Sequence, residues 1–280
     1  MWKQKLGISL GNHYAIPTPD VVTLVGNTGF DAISPEWEPE ADLGTIVNTA
    51  RDRGLALQSL HAPFGRAADM WNPDPSVHTS ALQEVLAALE AAAKYEIPVL
   101  VVHTWIGFEY DFDAACLWFG AFDALVARAG EVGVTVAFEN TEGQEYLFAL
   151  MEHFKGESAV GFCWDSGHEL CYNYSLDLLG LFGDRLAVTH LNDNLGISRF
   201  DGTTFWTDDL HLLPYDGIAD WADNVARLKT CRKLEYLNFE LGLHSKPGRH
   251  ENDGYGKLPL EEYFAEAYKR ACRIAWNYAK

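Results

Sequence analysis

The sequence predicts a (β/α)₈ barrel, and three observations carry that prediction. Short β-rich runs alternate with helix-compatible stretches along the 280 residues, which is the pattern of a parallel sheet. Eight such units fit the usual length of the barrel, about 250 residues. Metal-ligand-type side chains stand at the end of nearly every run, and no G-x-G-x-x-G follows the first one. The last point sets aside the open doubly wound sheet, the alternative for an alternating pattern.

The expected strands are residues 5–10, 31–34, 56–61, 99–105, 134–141, 160–166, 186–193 and 234–241. Several, such as PVLVVHTW and VTVAFENT, are nearly continuous apolar segments, as strands covered on both faces are. The spacing predicts helices over 80–95 (SALQEVLAALEAAAKY), 113–131, 219–228 and 259–278. The first is rich in Ala, Leu and Glu, which favour the helix. No Pro/Gly/Ser linker interrupts the chain. The expectation is one barrel domain over 1–280, with the helix at about 259–278 packed on the barrel.

Composition narrows the function classes. With 21 Lys+Arg against 40 Asp+Glu the net charge is −19, which weighs against nucleic-acid phosphates or an anionic membrane as partners. The five cysteines are scattered, without a Cys-x-x-Cys pair, so neither a disulfide framework nor a zinc knuckle is expected. The N-terminal MWKQKLGISLG lacks the apolar stretch of a signal peptide, and nothing approaches ~18 consecutive apolar residues. A cytoplasmic location is expected, where the sequon Asn173-Tyr174-Ser175 has no consequence. A homo-oligomer stays open.

The strand ends hold His61 (LHAPFG), His103 (VVHTW), Glu139 (AFENT), Asp165 and His168 (CWDSGH), His190 (THLND) and Glu240 (NFELG). A following loop, DDLHLLP, adds Asp209 and His211. In a barrel these ends converge on the face where reactions take place. Imidazole and carboxylate without thiolate suit Mn²⁺, Zn²⁺, Co²⁺ or Mg²⁺. Glu139 and Glu240 each close an apolar strand, where an unpaired carboxylate is costly to bury and a cation removes the cost.

HAPF, FENT, D-S-G-H, H-L-N-D, D-x-H-x-x-P and the late F-E-L, over about residues 5–245, together resemble the xylose-isomerase-like TIM-barrel superfamily. That group contains sugar and sugar-phosphate isomerases and epimerases, inosose dehydratases and endonuclease IV-type apurinic endonucleases. The resemblance implies a metal site at Glu139, Asp165, His190 and Glu240. Glu139 and Glu240 would be the catalytic pair that exchanges a sugar-carbon proton, through a metal-stabilised cis-enediolate. His168 would hydrogen-bond a substrate oxygen, and Glu145 matches a second substrate-binding glutamate. Arg199 stands where some relatives place a substrate-contacting arginine. A lyase of the inosose-dehydratase type would use the same site.

The resemblance also implies a second outcome, a zinc phosphodiesterase acting on abasic DNA. There His61, His103 and Glu139 would hold one zinc, Glu139, Asp165, His190 and Glu240 another, and His168, Asp209 and His211 a third. The segments after the strands are aromatic and acidic rather than basic, with Trp71, Trp105, Phe108, Tyr110 and Trp206. That favours a wall for a small sugar or polyol over a backbone clamp. The basic exception is GLHSKPGRHENDG, with His244, Lys246, Arg249 and His250, which suits a substrate phosphate or carboxylate as well as an exposed loop. Relatives often read D-x-H-x-x-P-G-x-G, whereas Tyr215 stands at the first of those glycines here. Gly7-Ile8-Ser9-Leu10-Gly11 mimics a nucleophile elbow but lies inside a strand, and Tyr172 spoils an H-E-x-x-H reading of His168-Glu169.

Overall fold

A computed structural model describes residues 4–11 and 14–280, so Met1 to Lys3 of the N-terminal segment considered above lie outside it. Every strand pair is parallel. β1 (Lys5–Leu10) lies between β2 (Ala32–Pro35) and the last strand, β9 (Tyr236–Phe239). β3 (Ala56–Leu57) pairs with β2. A second series runs in chain order through β4 (Leu60–His61), β5 (Val99–His103), β6 (Thr135–Glu139), β7 (Val160–Asp165) and β8 (Leu186–His190).

The expected strand 56–61 is thus broken at Gln58-Ser59. Its first half hydrogen-bonds β2 and its second half β5, so one run of chain hands the sheet from one series to the other. Single bridges close the ring, Glu36 with His61 and Leu191 with Phe239. At the second closure the Leu191 N–H donates to the Asn238 carbonyl at 2.9 Å. There too the Thr189 hydroxyl donates to that carbonyl at 3.1 Å and accepts from the Asn238 N–H at 3.0 Å. The curled parallel sheet is that of a TIM barrel.

The helices are α1 (Thr18–Thr28), α2 (Leu43–Asp52), α3 (Pro75–Lys94), α4 (Gly120–Val132), α5 (Gln144–His153), α6 (Ser166–Cys171), α7 (Leu178–Phe182), α8 (Trp221–Leu228) and α9 (Leu260–Ala279). α3 starts before the expected residue 80, because Asp74 caps the Ser76 N–H and Pro75 takes the first helical position. α4 starts after the expected 113, because Asp113 caps a separate short turn, Ala114–Cys116, and Leu117 is extended. Each longer helix buries one stripe, in α3 Ala81, Val85, Ala88, Leu89 and Ala92. α9, expected at 259–278, buries Tyr263, Phe264, Ala267, Ala271 and Ile274. Its Phe264 ring meets Tyr14 and its Tyr268 ring meets Phe30. All five thiols are free.

One buried carboxylate organises the long connection from β8 to α8. Asp193, fully buried, accepts from the Asn194 and Ala219 N–H groups at 2.9 and 3.0 Å. Its other oxygen accepts from the Tyr215 N–H at 2.8 Å and the Trp221 indole at 2.9 Å. This fastening ties both ends of the loop that carries Asp209 and His211. It also answers the Tyr215 departure: the backbone keeps a glycine-like φ of +77° there. The Tyr215 N–H bond to Asp193 and the Arg273 guanidinium 4.1 Å from the Tyr215 ring offset the strain. Gly217 is required for a different reason, since a Cβ would collide with Asp193 and Asn194.

Asp193→Ala would strand those N–H donors in the interior, at about 1–3 kcal/mol for each one left unpaired. Partial relaxation of the loop should bring the total to about 3–5 kcal/mol by urea unfolding. A loss below about 1 kcal/mol would show that the loop does not depend on this side chain.

Candidate metal centre

β6, β7 and β8 end at Glu139, Asp165 and His190; Asp165 pairs with His190 across the sheet, while Glu139 pairs with Cys163, two residues before Asp165. Glu139 and Asp165 are fully buried and His190 nearly so. His190 Nδ1 lies 2.9 Å from both Glu139 Oε1 and Glu240 Oε2. Glu139, Asp165, His190 and Glu240 each offer an atom within 4.8 Å of the others, an arrangement that could hold a metal ion.

The other predicted histidines complete the ring. His61 and His103 place Nε2 at 3.3 and 3.4 Å from the same oxygen, Glu139 Oε2. Asp209 Oδ1 lies 3.4 Å from His168 Nε2 and 3.1 Å from His211 Nε2. The ligand atoms of His61, His103 and Glu139 form one further compact group, and those of Asp165, His168 and His211 another. The structure therefore brings together all nine strand-end residues.

Local structure explains the motifs. In D-S-G-H, the Asp165 carboxylate accepts from the His168 N–H at 2.7 Å, capping the short α6 and presenting the imidazole. In FENT, Asn140 works beside Glu139: its carbonyl oxygen accepts from the Asp165 N–H and its amide donates to the Asp165 C=O, at 2.7 and 2.9 Å. Asn192 of HLND donates to Asp165 Oδ2 at 2.8 Å. Asn173 bonds Asn140 and the Thr141 carbonyl and is fully buried, so its sequon is closed to modification in the folded chain.

The donor set fits a cation. His61 Nδ1 and His168 Nδ1 face the carbonyls of Ala62 and Asn140 at 2.8 and 2.9 Å, and a carbonyl only accepts. Those nitrogens carry the protons, so in the neutral rings Nε2 turns its lone pair toward a carboxylate. Lone pair against carboxylate needs a positive charge between them, a proton or a metal, and a carbonyl-bound second nitrogen is the usual support of a ligating histidine. Asp209 Oδ1 and His211 Nε2, though close, are buried without hydrogen-bonding geometry. His211 also adopts a φ of +47°.

Protonation follows the same demand for positive charge. Burial pulls the His190 and His168 pKa values down, but Cys163 with Glu240 and Glu139, and Asp165 with Asp209, outweigh it and hold both well above the usual value. His61 is raised against its burial by Glu139, whereas burial wins at His103 and lowers it. Burial lifts the Asp165 carboxyl to about 6. Burial also opposes ionisation of Glu240, yet His190 and His211 bring it down to about 2.

Above this centre opens a cavity of about 660 Å³. Glu240, His61, His103, His168, Asp209 and His211 line it, while Glu139, Asp165 and His190 lie beneath that layer. Of the aromatic residues expected in the wall, Phe108 and Trp206 line it. Trp71 is buried with its indole on the Thr104 carbonyl. Trp105 stacks on Tyr146 at 4.1 Å, outside the lining. Glu145 accepts from Tyr110 and borders a separate outer groove. Arg199 is exposed over the Phe205 ring. As substrate contacts, Glu145, Trp105 and Arg199 are thus not placed at this cavity.

Glu36, Phe64, Glu142, Tyr172 and Lys246 are placed there instead. Phe64 stacks on His103 at 4.5 Å and Tyr172 on His168 at 5.1 Å. Glu36 immediately follows the apolar β2, the same signal that singles out Glu139, and so was open to detection. Glu142 had no such signal, because the turn after β6 decides which of two nearby glutamates points inward.

Among solved structures, the chain is similar in fold to a D-psicose 3-epimerase determined in the presence of D-fructose. The TM-score is 0.70 at 14% identity, over 98% of this chain and 99% of that one. The IOLI protein with a binding zinc atom gives 0.73 at 17% identity, over 97% and 98%. The 3-keto-D-glucoside 4-epimerase YcjR of E. coli gives 0.69 at 15% identity, over 96% and 100%. The uncharacterized protein y4fM of Sinorhizobium fredii is 36% identical over 99 residues, 31% of this chain. That match spans about a third of the curated relative's length, 32%. Finally, the family model described as xylose isomerase-like TIM barrel matches residues 22–271, and with that span the chain belongs to this family.

Proposed function

We propose that the protein is a divalent-metal-dependent isomerase or epimerase of a small sugar, sugar acid or polyol. The observation that carries this reading is the position of Glu240, which joins the Glu139–Asp165–His190 cluster and also lines the cavity. A divalent cation held by these residues, Mn²⁺, Zn²⁺ or Co²⁺ by donor type, would supply Lewis-acid stabilisation of negative charge on a substrate oxygen. The epimerase names of the similar structures support the reading.

Glu240 is the carboxylate placed to take a proton from a carbon beside the substrate carbonyl. The low pKa set by His190 and His211 keeps it ionised for that task. In an isomerisation Glu240 can return the proton to the neighbouring carbon of the enediolate. In an epimerisation a second group delivers it to the opposite face, and Glu139 is our candidate. The Phe64, Phe108, Tyr172 and Trp206 rings line the cavity and offer apolar faces to a sugar ring.

Convergence of all nine ligands keeps a second reading, a zinc phosphodiesterase on abasic DNA, worth testing. The cavity speaks against it, because Lys246 is its one lining Lys or Arg among the described residues. A phosphate-backbone site collects such cations. Metal analysis of protein purified without chelator should give one ion per chain. Three zinc ions together with cleavage of an abasic duplex would overturn the sugar reading.

Solvent-deuterium exchange into a ketose panel should fall by on the order of 10²–10⁴ in Glu240→Gln, the usual worth of a general base. Undiminished exchange would remove Glu240 from the mechanism.

Metal binding should stabilise the fold, by about 2.7 kcal/mol at a hundredfold excess over Kd. For a chain of this size that is roughly 5 °C in Tm. The raised His168 and His190 bind protons in the metal-free fold. Their stabilising contribution is complete below the unfolded histidine value, about 6.5, and fades as pH rises through the raised folded values. A cation competes with those protons, so the Tm gain from Mn²⁺ should be larger at pH 8 than at pH 6. A gain that shrinks with rising pH would exclude these histidines as ligands.

A further inference from the structure

The loop after β9 carries His244, Lys246, Arg249 and His250, and the fold gives them different duties. Arg249 is occupied: it pairs with buried Asp208 at 3.1 Å and with Glu251 at 2.8 Å, and does not line the cavity. His250 is exposed beside Asp253. Lys246 and His244 alone of the four line the cavity.

Lys246 is held there but not consumed. Its ammonium lies over the Trp206 indole, with Nζ 5.7 Å from the ring centre. The nearest carboxylate oxygen, Asp209 Oδ2, is at 3.5 Å, well beyond the roughly 2.7–2.9 Å of a committed ammonium–carboxylate hydrogen bond. The other oxygen of Asp209 faces His168 and His211, at 3.4 and 3.1 Å. An ammonium has three donors on a flexible stem, so Lys246 can turn from Asp209 to a ligand.

We propose, building on the isomerase or epimerase reading, that the substrate is a keto-sugar acid whose single carboxylate is bound by Lys246. Charge balance chooses the carboxylate over a phosphate. The cavity wall already presents Glu36, Glu142, Asp209 and Glu240. A phosphate carries about −1.5 to −2 at neutral pH, more than one ammonium can neutralise in those surroundings. One carboxylate is matched by one lysine. The Trp206 ring face adds a cation–π attraction that holds the ammonium at the cavity.

Three ketoses that differ only at C6 provide the test: D-fructose, D-fructuronate and D-fructose 6-phosphate. Their affinities for the Mn²⁺-loaded protein are measured by titration calorimetry, alongside solvent-deuterium exchange. D-Fructuronate should bind at least about tenfold more tightly than D-fructose, and D-fructose 6-phosphate should show no such gain. Lys246→Met should erase the preference, bringing D-fructuronate affinity down to that of D-fructose, and Lys246→Arg should retain most of it. Equal affinities, a preference for the phosphate, or a Lys246→Met that weakens all three alike would overturn the assignment. Exchange into D-fructose without a carboxylate preference defeats this proposal but leaves the isomerase reading standing. Absence of exchange and binding with every ketose defeats both.

Discussion

The centre of this protein is a concentration of largely buried negative charge at the floor of a cavity. Glu139 and Asp165 are fully buried at adjacent strand ends, and the side chains of Glu240 and Asp209 are 16% and 14% exposed. Buried carboxylates of this density are stable only beside positive charge. Histidine supplies it as a proton, or yields the position to a metal ion. In the metal-free state protons on the histidines meet that demand, and a cation entering the site would displace them. An apolar replacement would relieve the electrostatic cost and abolish the site.

The support around this cluster consists of neutral amides and one further carboxylate. Asn140 and Asn192 clamp Asp165 from the neighbouring strand ends, and Asn173 braces Asn140. Asp193 fixes the loop that brings Asp209 and His211 over the centre. Backbone strain accompanies this loop. His211 and Tyr215 both occupy the left-handed region, at a cost of order 1–3 kcal/mol for each such residue. The Asp193 hydrogen bonds and the Arg273–Tyr215 contact hold the strained path. A ligand-bearing loop pinned at both ends keeps Asp209 and His211 in place while the cavity side stays open.

The cavity divides its wall by chemistry. Phe64, Phe108, Tyr172 and Trp206 provide ring faces, the histidines and Glu240 the polar floor, and Lys246 the one lysine among the described lining residues. In a chain of net charge −19, an inward lysine beside an indole is a selective feature rather than a general attraction for anions.

The sequence by itself determined the alternation of elements, the parallel barrel and the histidines and carboxylates that gather at its strand ends. Apolar runs ending in a polar residue carry that information locally, and in a barrel all such ends share one face. Glu36 obeyed the same rule and could have been read with the others. Only the tertiary structure decided which loop residues reach the cavity. Loops have no period from which a side chain's direction can be read, so Glu142 rather than Glu145 points inward, and Lys246 rather than Arg249. The split of the third strand and the bridges that close the ring were likewise hidden, because each depends on partners more than two dozen residues away. Local chemistry names the ligands, while packing at long range chooses the walls around them.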